Sequence, residues 1–66
     1  MMKTLFYILR KDGNGIFRWV EAVNDVDTAE TRVRQLCAES QNEFVVFRNI
    51  DLRVVAMASE NTYKRL

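Results

Sequence analysis

The chain has 66 residues, 48% of them hydrophobic and 29% charged, with two glycines, no proline and a formal net charge of +1. Such a composition is typical of one small ordered domain, here residues 1–66, and gives no long-range attraction toward nucleic acid or an anionic membrane. Because the sequence has no histidine and one cysteine, it also excludes the usual zinc and haem sites, an internal disulfide, and Ser-His or Cys-His nucleophile pairs.

The first third of the chain predicts a β-hairpin. Residues 4–10 and 16–23 are rich in aromatic and branched side chains, which favour strands. Between them, an Asp-Gly and an Asn-Gly step supply the positive-φ positions that a hairpin turn requires. We favour a three-residue loop at 13–15, because it places Arg10 and Arg18 on one face and the apolar side chains on the other. Loops of two or four residues would mix the two sets.

A helix is predicted from Asp27 to about Ser40. Asp27 is the expected N-cap, and Glu30 stands where a capping box has its acid. The apolar positions of this segment recur at helical spacing and form one stripe, Ala29, Val33, Leu36 and Cys37. We expect the stripe to be buried against the sheet, so that Cys37 acts as a small hydrophobic residue and not as a nucleophile.

Two further strands are predicted at 43–48 and 52–58, joined by a turn at 49–51. The order is ββαββ, and the fold class is α+β: a four-stranded, mainly antiparallel sheet with one helix packed on one face. We expect the ordered core to extend over residues 3–58, and residues 59–66 to form a polar C-terminal tail. A chain of this length buries a small core, which favours help from a partner subunit over a deep catalytic cleft.

One face of the predicted sheet is covered and the other is open, because a single helix about 10 Å across packs on only one side of a four-stranded sheet. We expect the helix to cover Leu5, Tyr7, Leu9, Phe17, Trp19, Val45, Phe47, Val54 and Ala56. The open face then carries the candidate interface residues Phe6, Ile8, Arg10, Ile16, Arg18, Val20, Phe44, Val46, Arg48, Arg53, Val55 and Met57. Exposed apolar surface of that extent is unusual on a monomer.

The predicted function is a non-enzymatic protein–protein interaction module that forms a homodimer, or binds another protein, through this apolar, arginine-edged face. The alternative is a module that binds single-stranded nucleic acid through the sheet aromatics and the arginines Arg10, Arg18, Arg48 and Arg53. The near-neutral charge and the absence of an RNA-recognition signature disfavour nucleic acid. We expect no catalytic residue, metal or cofactor, no membrane span or signal peptide, and a cytoplasmic location.

Several short segments carry a resemblance to known sequences. They are Tyr7-Ile8-Leu9, Trp19-Val20-Glu21-Ala22-Val23, Ala29 with Arg32-Val33 and Leu36, and Glu43-Phe44-Val45-Val46-Phe47. Together they resemble a family of short uncharacterised bacterial proteins that have a hairpin, a helix and a hairpin, with Trp-Val-Glu on the second strand. The resemblance covers residues 4–58 and implies the ββαββ order, but it implies no activity.

Overall fold

The computed structural model describes residues 4–40, 42–60 and 62–66. The described chain forms β1 (Phe6–Lys11), β2 (Phe17–Val23), α1 (Val26–Ser40), β3 (Glu43–Arg48), β4 (Arg53–Ser59) and β5 (Thr62–Arg65). The strands form one antiparallel sheet in the order β2-β1-β3-β4-β5, and α1 packs on one face. The α+β class is therefore confirmed, with five strands in place of the predicted four. The predicted first core residue, residue 3, lies outside the described residues.

The first hairpin turns over three residues, as the sequence predicts. The backbone N–H of Asp12 donates to the carbonyl of Ile16 at 3.0 Å, and Arg10 pairs with Arg18 across the strands. Gly15 has a φ of 79°, the left-handed conformation that ends a three-residue hairpin loop. The carboxylate of Asp12 accepts the backbone N–H groups of Ile16 and Asn14. These hydrogen bonds lower the pKa of Asp12, and the bond from Ile16 has the largest effect.

The N-cap of the helix is Asp25, so the prediction of Asp27 as the cap is wrong. Asp25 Oδ1 accepts the backbone N–H of Thr28 at 2.7 Å, and its Oδ2 accepts the Thr28 hydroxyl at 3.0 Å. These hydrogen bonds lower the pKa of Asp25, and the bond from the backbone N–H of Thr28 has the largest effect. Asp27 lies in the first turn instead, where its carboxylate pairs with Arg65 at 2.6 Å.

The last residues form strand β5 and not a tail. Ser59 pairs with Thr62, and Glu60, which has a φ of 48°, lies in the turn between them. Tyr63 packs against the core, and burial raises the pKa of its hydroxyl. The polar composition of this segment conceals the strand, because one half-buried tyrosine among polar side chains gives no period-two apolar pattern.

Helix α1 is joined to strands at both edges of the sheet by charged side chains. On β5, Arg65 pairs with Glu30 at 3.1 Å as well as with Asp27, and the Arg34 guanidinium lies 5.2 Å from the centre of the Tyr63 ring. On β2, Glu21 accepts a hydrogen bond from Arg32. These contacts fix the position of the helix across the whole width of the sheet.

The hydrophobic core lies between α1 and the face of the sheet that carries Ile8 and Val46. Both side chains are fully buried, as is Val33 of the helix. The core consists of Ile8, Ala29, Val33, Cys37, Phe44, Val46, Ala56 and Ala58. The predicted helical stripe is confirmed, since three of its members are buried and Leu36 packs against them.

The predicted cover of the sheet is wrong, because α1 packs on the face that we expected to be open. Six of the predicted interface residues lie in or against the core: Phe6, Ile8, Val20, Phe44, Val46 and Val55. The helix stripe is built of small side chains, and it packs closely on a face where β4 contributes Ala56 and Ala58. The aromatic side chains of Tyr7, Phe17, Trp19 and Phe47 lie on the other face.

Two β-bulges explain the remaining errors in the predicted faces. The register between β1 and β2 shifts after Ile8, opposite Val20, and the register between β3 and β4 shifts after Val46, opposite Val55. Each bulge inserts one residue and so exchanges the faces of the strand beyond it. Ala56 consequently pairs with Val46 on the helix side and is separated from Val54, with which it was predicted to share a face.

Candidate interface on the open face of the sheet

We define the open face as the side of the sheet that points away from α1. Side chains alternate along a strand, so the neighbours of buried Ile8 point to this side. Cross-strand pairing from Leu9 and Tyr7 then assigns the other members. The larger apolar residues of the open face are Tyr7, Leu9, Phe17, Trp19, Val45, Phe47, Val54 and Met57.

Large apolar side chains of the open face are exposed to solvent. Trp19 is 64% exposed, Phe17 46% and Met57 43%. Phe17 and Phe47 meet edge to face, with ring centres 6.3 Å apart. The expectation that Trp19 and Phe17 belong to the core is therefore wrong, whereas Met57 lies on the open face as predicted.

A shallow depression adjoins these side chains. It has a volume of about 220 Å³ and is lined by Tyr7, Leu9, Phe47 and Leu52. Leu52 lies in the loop between β3 and β4, where it has a φ of 56° and its N–H donates to the carbonyl of Arg48 at 2.8 Å. The open face thus carries both a protruding apolar group, Trp19, and an apolar recess.

The charged residues of this face stand at its margin. Lys11 of β1 pairs with Glu43 of β3 at 3.7 Å, at the end of the face nearest the first hairpin loop. Lys64 lies on the edge strand β5, beside Met57. An apolar centre with a charged rim is the arrangement found at protein–protein interfaces.

The four predicted interface arginines lie on the helix side of the sheet, so their predicted placement on the open face is wrong. Arg10 is in register with buried Phe44, and Arg48 is in register with core-packed Phe6. The same parity places Arg18, Arg53 and the 53% exposed Ile16 on that side. The two arginine pairs lie at opposite ends of β1, about 14 Å apart. The aromatic residues on which the nucleic-acid alternative depends, Phe6 and Phe44, share this side with the arginines but lie against or within the core.

Asp51 is the carboxylate with the most strongly shifted pKa. It accepts hydrogen bonds from Nε and Nη2 of Arg48 at 3.1 and 2.5 Å. The side-chain hydrogen bond from Arg48 is the main cause of a decrease in the pKa of Asp51 from 3.8 to about 2. Arg53 lies 3.9 Å from the same carboxylate.

We expect the domain to become less stable in acid, where Asp51 becomes protonated. The pKa of Asp51 is lower in the folded state than its ordinary value of 3.8, so its contribution is complete above pH 3.8 and is lost as the pH falls toward 2. Asp51→Asn should reduce the slope of stability against pH in this window. Urea unfolding at several pH values measures the slope, and Glu39→Gln, which removes an exposed helix carboxylate, is the control. An unchanged slope in Asp51→Asn contradicts the prediction.

The thiol of Cys37 is 2% exposed, and its Sγ donates to the carbonyl of Asn42 at 3.5 Å. In residues 4–40, 42–60 and 62–66, no three His, Cys, Asp or Glu side chains form a group able to hold a metal ion. No helix in that part of the chain has the length and apolar character needed to cross a membrane.

Comparisons with protein-family models, curated proteins and solved structures find no match to this chain. The resemblance to short bacterial proteins therefore stays a prediction. The candidate site rests on the open face itself, whose aromatic members the sequence assigned to the core. Side-chain size was the available signal, because a helix stripe of alanine, valine and cysteine packs closely where the sheet carries Ala56 and Ala58.

Proposed function

We propose that this domain is a non-enzymatic, homotypic interaction module in which two copies pack open face to open face. The observation that carries the proposal is the contrast between the two sides of one sheet. Ile8, Phe44 and Val46 on the helix side are at most 2% exposed, while Trp19, Phe17 and Met57 expose 43% to 64% of their surface on the other side. Apolar surface of this kind on a small domain is typical of an interaction site.

The size of the open face supports a second copy as the occupant. Five strands about 4.8 Å apart and about 20 Å long give a face of roughly 480 Å². Two such faces bury about 960 Å² in total, close to the roughly 1,000 Å² expected of a biological interface and typical of a weak, concentration-dependent dimer. A two-fold axis would pair each protruding Trp19 with the apolar surface of the other copy, because an isologous interface uses the same patch twice.

The charges at the margin favour the same occupant. Lys11 and Glu43 stand side by side, so the rim of the face presents both signs. A second copy can therefore place the acid of one rim against a lysine of the other. The lone buried thiol of Cys37 suits a reducing compartment, and we propose a cytoplasmic location for the dimer.

Sedimentation velocity at micromolar concentration tests the proposal on three matched variants, each of which introduces one lysine. Trp19→Lys and Met57→Lys place the charge on opposite sides of the open face, whereas Ala38→Lys places it on the exposed surface of the helix. We expect a wild-type dimer, a dissociation constant at least about tenfold higher in the first two variants, and no change in Ala38→Lys.

A wild-type chain that remains a monomer at high micromolar concentration contradicts the proposal. Dimers of unchanged affinity in both Trp19→Lys and Met57→Lys contradict it too. Circular dichroism of each variant checks that the fold is retained, which we expect because both side chains are largely exposed.

A further inference from the structure

The helix side of the sheet carries two pairs of arginines that face each other across neighbouring strands. Arg10 of β1 is opposite Arg18 of β2, and Arg48 of β3 is opposite Arg53 of β4. Like charges in directly opposed positions destabilise a sheet unless an anion lies between them. The two pairs differ in whether the chain supplies that anion.

The pair on β3 and β4 is neutralised by the chain itself. Asp51, in the loop that joins the two strands, binds Arg48 through two hydrogen bonds of 3.1 and 2.5 Å. The same carboxylate lies 3.9 Å from Arg53 and accepts its backbone N–H at 3.3 Å. One acid therefore contacts both guanidinium groups of this pair.

The pair on β1 and β2 lacks such an acid. Asp12 is the equivalent loop carboxylate, but one of its oxygens accepts two backbone N–H groups of the turn and the other contacts Nε of Arg18 at 3.3 Å. Within the described part of the chain, Arg10 has no ion-pair partner, although its side chain is half-buried. A guanidinium that is partly removed from water without a counter-charge is unfavourable.

We propose that Arg10 and Arg18 together bind one oxyanion, a phosphate or a carboxylate. Directly opposed residues on antiparallel strands have Cα atoms about 5 Å apart, so both planar guanidinium groups are able to contact the same anion. Arg18 approaches Asp12 through Nε, which leaves its two terminal nitrogens for the ligand. The site lies on the helix side of the sheet and is independent of self-association through the open face.

Isothermal titration calorimetry with inorganic phosphate tests the site, with acetate as a second arm and sodium chloride of equal ionic strength as the salt control. The variants are Arg10→Gln and Arg18→Gln, with Arg53→Gln as the matched control from the neutralised pair. We expect wild type to bind one of the two anions, phosphate or acetate. Arg53→Gln should bind that anion with the same affinity as wild type. Affinity should fall at least about tenfold in the two site variants, because each removes charged hydrogen bonds to the anion.

The titrations with phosphate and with acetate distinguish a phosphate site from a carboxylate site. Saturable binding of phosphate alone assigns a phosphate site, and binding of acetate assigns a carboxylate site. Thermal unfolding without added anion gives a second readout: Arg10→Gln should be at least as stable as wild type, because the substitution removes a like-charge contact. Equal anion binding by wild type and Arg10→Gln, or heat no greater than that with chloride, overturns the proposal.

Discussion

Truncation of Ile8 to alanine will lower the free energy of unfolding by about 2–5 kcal/mol, whereas the same change at its neighbour Leu9 will lower it by about 1 kcal/mol. Ile8 is fully buried beneath α1, so its truncation leaves a cavity in the core. Leu9 is half-buried on the open face, where water can fill the space. A domain of this length has a stability of only a few kcal/mol, so Ile8→Ala should lose a large fraction of it and unfold at a much lower urea concentration.

Urea unfolding at 25 °C measures both changes, and the Trp19→Lys background prevents loss of self-association from adding to the effect at Leu9. Val33→Ala, on the helix stripe, should also lower the free energy of unfolding, because it too leaves a cavity in the core. The reverse order, with Leu9→Ala more damaging than Ile8→Ala, would falsify the assignment of the covered face.

Removal of residues 60–66 should lower the free energy of unfolding by an amount similar to that of Ile8→Ala. Strand β5 covers the edge of β4 and packs Tyr63 against the core, so its removal exposes Ala58 and breaks the ladder between the two strands. We expect a loss of about 3 kcal/mol or more from burial and hydrogen bonding together. Thermal unfolding followed by circular dichroism measures the loss.

Two substitutions separate the causes of that loss. Tyr63→Ala removes the buried ring but keeps the backbone of β5, so it should produce part of the effect. Lys64→Ala alters an exposed side chain of the same strand and should leave stability nearly unchanged. A shortened chain as stable as the full one would show that β5 contributes nothing to the fold.

The sequence predicted those features of the fold that depend on neighbouring residues. Loop chemistry at Gly15 and the charges of Arg10 and Arg18 selected the correct register of the first hairpin. The helical spacing of Ala29, Val33 and Cys37 identified the buried side of α1. In these cases local conformational preference and burial agree, so a pattern over a few residues is sufficient.

The features that the sequence missed depend on packing between distant segments. Both faces of the sheet are apolar, so alternation alone did not decide which one α1 covers. The bulges at Val20 and Val55 have no glycine or other local signal, and each exchanges the faces of its strand. Strand β5 is held by its pairing with β4 and by the contacts of Tyr63 and Arg65 with the helix, which a polar sequence does not reveal.

The strand order also has a consequence for how quickly the chain acquires its structure. Three of the four neighbouring pairs in the described sheet are joined by short turns, whereas β1 and β3 are separated along the chain by β2 and α1. Closing that long loop carries the largest loss of chain entropy, so the β1–β3 seam, with Ile8 opposite Val46, is the slow contact to form. The helix lies within the loop and packs across the seam, so the segment that separates the two halves also holds them together once they meet.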